Sequence, residues 1–163
     1  MNLYKLHDKP ESIHGHDKMD THVIDAFWDK YKDNPAELKK REKAIAKHTE
    51  YAHHYANILK GPFPAGEDAI AKDAFSSLYY AGSILKGRFP KGEKEIAKYP
   101  GYAYRYAEYV LKGPFKLGED AISKNPEYAF KYAYYILKKK WSKGEDAINK
   151  DPYFKERYAR EFK

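Results

Sequence analysis

The chain repeats itself every 26 residues: Glu67, Glu93, Glu119 and Glu145 open the phrases EDAIAKD, EKEIAKY, EDAISKN and EDAINKD. With its surroundings the phrase reads G-E-D-A-I-A-K-D-P-x-Y-A-x-x-Y-A-x-x-I-L-K-G-x-F-P-x. A unit this short cannot bury its own apolar face and must stack on copies of itself. The spacing therefore predicts an all-α fold, a right-handed or otherwise twisted α-solenoid of stacked two-helix repeats with N- and C-terminal caps.

The second half of each unit carries the marks of a helix at both ends. Asn125-Pro126 and Asp151-Pro152 place a side-chain acceptor at the N-cap and a proline at the first helical position, and Asp73 supplies the acceptor alone. Lys60-Gly61, Lys86-Gly87 and Lys112-Gly113 put a cation against the helix C-terminus and a glycine where a left-handed residue is wanted. Between these marks lies a helix of about 13 residues at 3.6 per turn. At 100° per residue from Tyr102, the side chains of Tyr102, Ala103, Tyr106, Ala107, Val110 and Leu111 share one half, flanked by Tyr104 and Tyr109, and Arg105 and Glu108 point away. So wide an apolar arc suits a helix wedged between the repeats on either side.

The first half of each unit reads as a shorter helix, acidic at its start and ending on lysine, both charges complementing its dipole. Ile70, Ile96, Ile122 and Ile148 give it a buried edge, and Phe63, Phe89, Phe115 and Trp141 stand just ahead of it as hydrophobic staples. The units run 42–66, 67–92, 93–118 and 119–144, with a capping half-repeat over 145–163. The first has lost one residue in its second helix. An amphipathic cap helix is expected over 21–32, an extended N-terminal arm over 1–20, and the start of the first repeat helix at Asn34-Pro35.

Leu, Ile, Val and Phe make up only 29 of 163 residues, about 18%, which in a charged chain usually marks disorder. The 17 tyrosines answer this, because many recur in fixed repeat columns and supply large amphipathic surfaces. The chain has no cysteine, which excludes disulfides, thiolate zinc sites and cysteine nucleophiles and suits a reducing compartment. No apolar run approaches the roughly 20 residues of a membrane span, and the N-terminus lacks a signal-peptide core. These features predict a cytoplasmic protein with no membrane partner.

The phrase G-x-[FW]-P-x-G/A-E followed by Y-A-x-x-Y-A resembles short helical repeats of uncharacterised bacteriophage proteins. The likeness covers residues 42–163, and the opening LYKLHDKPESIHGHD is also similar to such proteins. What the resemblance implies is a viral gene acting in a bacterial cytoplasm; it brings no activity with it.

All seven histidines lie in the first third of the chain. His14, His16 and His22, near Asp17 and Asp20, are a weak candidate for zinc or iron. A metallohydrolase of the H-x-H-x-D-H kind needs Asp at 18 and His at 19, where this chain has Lys18 and Met19. No nucleophile elbow, phosphate loop or dinucleotide fingerprint is present, so neither catalysis nor a cofactor is expected.

Charge is more informative. Residues 1–40 carry a net −1, and the remaining 123 carry the whole basic balance at +8. Lysines that end helices are explained by the dipole. Arg88, Lys91, Lys116, Lys139, Lys140 and Lys143 are not, and loops of neighbouring repeats, at about 8–10 Å per helix layer, would align them into one basic edge. That edge suggests RNA or single-stranded DNA, with Phe89, Phe115 and Trp141 stacking on bases if they are not buried. The preferred expectation is a non-enzymatic protein-binding module, whose partner meets the variable exposed columns of Tyr79, Arg105 and Lys131, and of Gly82, Glu108 and Tyr134. Sequestration of a small anionic ligand is a further alternative.

Overall fold

The computed structural model of the protein describes residues 22–163. The arm expected over 1–20 lies outside the described residues. Helix α1 (His22–Tyr31) stands where the cap helix is predicted, and α2 (Pro35–Ile45) starts at Asn34, whose side chain accepts a hydrogen bond from the Glu37 N–H at 3.2 Å. After α3 (Thr49–Leu59), short and long helices alternate. The pairs are α4 (Glu67–Ile70) with α5 (Ala74–Tyr79), α6 (Pro90–Ile96) with α7 (Pro100–Arg105), and α8 (Glu119–Ile122) with α9 (Pro126–Lys131). They close with α10 (Ser142–Lys150) and α11 (Pro152–Glu161). All elements among the described residues are helical. Each long helix packs on the next, α3 on α5, α5 on α7, α7 on α9 and α9 on α11, while α4 touches α6.

The N-caps act as the sequence predicts. Asp73 accepts from the Ser76 N–H at 2.7 Å, Asn125 from Tyr128 at 3.1 Å, and Asp151 from Tyr153 and Phe154 at 3.0 and 3.1 Å. Each such cap stabilises its helix by about 1 kcal/mol. The C-termini differ from expectation. The left-handed residue is the lysine and not the glycine after it: Lys60, Lys86, Lys112 and Lys138 have φ of 51–53°, and no glycine among the described residues has positive φ. The lysine takes a conformation that disfavours Cβ by roughly 1 kcal/mol, and its cation stays beside the helix C-terminus. At the following position the N–H of Gly87 or Gly113 reaches back to the carbonyl of Ala81 or Ala107 at 3.0 Å. Lys139 fills that position in the fourth unit and makes the same bond to Ala133.

The long helices are not uniform. Beyond α5, α7 and α9 the chain winds as π-helix over Tyr80–Leu85, Tyr106–Leu111 and Tyr132–Leu137. Helix α3 has no such segment, and it is the one with a residue fewer between its buried tyrosine and its capping lysine: five steps from Tyr55 to Lys60, six from Tyr80 to Lys86. An extra residue between two pinned ends widens the turn that contains it. This also corrects the wheel drawn at 100° per residue. Tyr104, before the π-helix, is buried, whereas Tyr109, inside it, is exposed.

One column of rings holds the core. Tyr55, Tyr80, Tyr106 and Tyr132 have 0% exposure and Tyr158 has 8%. Each hydroxyl donates to the glutamate 13 residues earlier: Glu42, Glu67, Glu93, Glu119 and Glu145, at 2.9, 3.3, 2.9, 3.0 and 3.1 Å. From Tyr80 onward it also accepts the backbone N–H of the aromatic residue 17 earlier, Phe63, Phe89, Phe115 or Trp141. The ring of that aromatic residue packs at 5.0 Å against the buried tyrosine of its own unit, Tyr55, Tyr80, Tyr106 or Tyr132. Each unit is thus closed on itself by a ring contact and a Tyr–Glu bond, and tied to the next by the aromatic N–H, which leaves every hydroxyl from Tyr80 onward with both partners satisfied. The repeated glutamate, read from sequence as a dipole charge, is the acceptor that lets a tyrosine be buried.

Candidate interaction face

The π-helices decide which side chains leave the core. In the first unit Ala56 is followed by Asn57 and then Ile58. In the later units two residues stand between the alanine and the aliphatic: Gly82-Ser83, Glu108-Tyr109 and Tyr134-Tyr135. Alanine and aliphatic face inward on either side; of the residues between them Tyr109, Tyr134 and Tyr135 are exposed, whereas Gly82 and Glu108 are half-buried and the Ser83 hydroxyl is buried. The π segments of neighbouring units touch, so their pairs adjoin on one face.

That face is ordered at its C-terminal end. The Tyr134 ring is stacked on Phe130 at 5.7 Å and 12°, and stands perpendicular to Tyr135 at 4.8 Å. Tyr104 donates to Glu108 at 2.8 Å, and Tyr109 hydrogen-bonds the same side chain. Burial, then the Glu108 carboxylate, pushes the Tyr104 phenol far above its ordinary value, so Tyr104 is a fixed neutral donor. These contacts hold the rings in fixed positions, the preorganisation that would reduce the entropy lost by a binding surface.

Of the four residues expected to bind a partner, Tyr134 is exposed and the others are half-buried. The Tyr79 hydroxyl donates to Asn57 at 3.1 Å and its ring rests on His53 at 4.8 Å, while Lys131 pairs with Glu127. Arg105 lies on the same helix as Tyr104, one residue before the π segment. Tyr109 and Tyr135, both exposed, are not among the residues expected from the sequence. Their signal was present in the extra residue that units two to four carry relative to unit one.

The basic edge is largely neutralised. Arg88 grips Glu93 through two bonds of 2.9 and 3.0 Å. Lys91 pairs with Asp68 at 2.8 Å and Glu67 at 3.4 Å, Lys116 with Glu119 at 3.1 Å, and Lys143 with Asp120 at 2.6 Å. Burial raises the Glu93 carboxyl, but the Arg88 guanidinium and Tyr106 hydroxyl outweigh it and hold the group below its ordinary value. Lys139 and Lys140 are exposed. Phe89, Phe115 and Trp141, offered as stacking platforms for bases, are buried in the core.

His14 and His16 lie outside the described residues, as does the side chain of His22. Among the described residues no three of His, Asp and Glu converge as a metal site. No helix there is long and apolar enough to cross a membrane. No family model, curated protein or solved structure matches the chain.

Proposed function

We propose that this chain is a non-enzymatic helical-repeat interaction module, an α-solenoid that grips a protein partner with the face made by its π-helices. In line with the resemblance of its repeat, we take it to be phage-encoded and to act on a host or viral protein in the bacterial cytoplasm. The observation that carries this reading is a fixed core beside a varied pair that becomes exposed toward the C-terminal end: Gly82-Ser83, Glu108-Tyr109, Tyr134-Tyr135. The Tyr–Glu–Phe network repeats almost unchanged, while the two residues between alanine and aliphatic differ in every unit, from half-buried Gly82-Ser83 to exposed Tyr134-Tyr135. Exposed tyrosines on a rigid support contribute large contact area at little entropic cost, and tyrosine is enriched among binding hot spots. The gradient from glycine to paired tyrosines gives the face a low end and a raised end.

The test is capture from nuclease-treated bacterial lysate, comparing the parent with a Tyr109→Ala, Tyr134→Ala, Tyr135→Ala variant. The variant is expected to melt within a few degrees of the parent and to lose the captured protein. Equal capture by both would reject this face. A nucleic-acid reading keeps support from Lys138, Lys139 and Lys140, which are exposed and have no anion partner among the described residues. It predicts retention that disappears on nuclease treatment and falls steeply with salt, with a slope of about −0.7 per phosphate contacted.

A further inference from the structure

The ion pairs between units follow a rule. The residue after each repeated glutamate faces the residue two before the next one, 23 positions later, as Asp68 faces Lys91 and Asp120 faces Lys143. Between these two ionic steps, the corresponding positions are Lys94 and Leu117. The acid has become a cation and the cation has become a leucine. Two facing lysines would repel, which explains the loss of the second charge. It does not explain leucine: the first step makes the same change with Lys43 and Ala65, and a polar residue would serve as well in water.

Leu117 is 52% exposed and stands at a cleft of about 550 Å³. Leu111 and Pro114 share the lining, and Phe115 forms its base. Arg88, Glu93 and Lys116 line it with their charges paired, Arg88 to Glu93 and Lys116 to Glu119, while Lys94, set opposite Leu117 by the register that sets Asp68 opposite Lys91, is exposed with no anion partner among the described residues. Lys94 occupies the position that holds a carboxylate in the steps on either side.

The geometry points to a docking site at this missing rung for an acidic, apolar peptide segment of a protein partner, whose carboxylate pairs with Lys94 and whose aliphatic side chain enters the cleft beside Leu117. The partner would supply in trans the acid that the chain supplies to itself in the neighbouring steps. Charge complementarity selects this occupant: the unpaired charge that the register sets against Leu117 is the Lys94 cation and the floor is apolar, so an acidic segment fits where a basic one is repelled. The cleft shares Leu111 with a π-helix but none of the exposed tyrosines Tyr109, Tyr134 and Tyr135, and the proposal does not depend on the face they make.

The neighbouring steps also supply the test. A Lys94→Asp, Leu117→Lys double variant writes the Asp68–Lys91 pair into the middle step, so it is expected to fold and to melt no lower than the parent. The probe is a methyl-labelled NMR titration with an acetylated, amidated hexapeptide of alternating Glu and Leu, compared with its Gln–Leu and Lys–Leu counterparts. The Glu–Leu peptide is expected to shift the Leu117 methyl signals, the Gln–Leu peptide to bind at least about tenfold more weakly, and the double variant to lose binding. Unchanged affinity in the double variant, equal binding of the Lys–Leu peptide, or no shift at Leu117 with any peptide would each overturn the site. Tyr135→Ala is expected to leave the titration unchanged, so failure here and failure of the π-helix face are read separately.

Discussion

The Tyr106 hydroxyl donates to Glu93 across 13 residues at 2.9 Å, fully inside the core, and accepts the Phe89 N–H at the same distance. Burial pushes the phenol up to about 12, so it remains a donor at any pH at which the protein is handled. Tyr106→Phe keeps the ring and removes both bonds, leaving the Phe89 N–H and one carboxylate position of Glu93 without a partner. The expected loss is about 1–3 kcal/mol for the unsatisfied groups, and about 3–5 kcal/mol for Tyr106→Ala, which also opens a cavity. Urea melts of the three proteins check both values, and a neutral Tyr106→Phe would show that the network does not support the core.

Gly118 is required for a different reason. A Cβ there would lie 2.6 Å from the Phe115 ring and 2.7 Å from the Ala103 Cβ, so the short helix of one unit touches the long helix of the unit before. Gly118→Ala raises helix propensity by up to about 1 kcal/mol, yet overpacking at this contact costs about 1–3 kcal/mol. Net destabilisation is expected in thermal or denaturant melts. Gly113→Ala, where the nearest atom is 3.8 Å away and φ is not positive, is expected to be neutral or stabilising.

Deleting Ser83 returns the second unit to the length of the first. Its helix is then expected to run as α-helix to Lys86, as α3 runs to Lys60. The Ser83 hydroxyl is buried without a hydrogen-bond partner, so its removal also relieves a desolvated group. The deletion variant is expected to unfold cooperatively with a stability within about 1 kcal/mol of the parent. Deleting Ala97 instead shifts the fully buried Ile96 relative to the next helix and is expected to unfold the unit. Hydrogen exchange of residues 74–87 distinguishes a local rewinding from a general loosening.

His53 sets an acid limit on stability. Burial is the main cause that lowers it to about 4; Asp73 pulls weakly the other way, and His54 adds to the lowering. Its ring lies against Phe75 and Tyr79 of the next unit. Between pH 6.5 and pH 4 the unfolded chain binds this proton and the folded chain does not, so stability falls as pH falls through that window. At about 1.4 kcal/mol per unit the loss is on the order of 3 kcal/mol by pH 4. His53→Leu is expected to remove this part of the acid limb while leaving stability at pH 8 within about 1 kcal/mol, measured by melts across the range.

The sequence by itself determined the helices, their N-caps and the inward columns, because these depend on local chemistry and on a period that one strand of text displays. Tyr55, Tyr80, Tyr106, Tyr132 and Tyr158 could be named as core from their spacing alone. The partners of their hydroxyls could not, since a bond across 13 residues depends on how the short helix folds back on the long one. The same holds for the charges. Lys91 and Lys143 look like part of a free basic edge when each is read alone, and become paired once the preceding short helices bring Asp68 and Asp120 against them, while Arg88 and Lys116 pair locally with Glu93 and Glu119. The tertiary structure also decided how the extra residue of units two to four is accommodated. With the tyrosine pinned at one end and the capping lysine at the other, it has no room along the helix and widens the turn, and Tyr109, Tyr134 and Tyr135 are thereby carried to the surface.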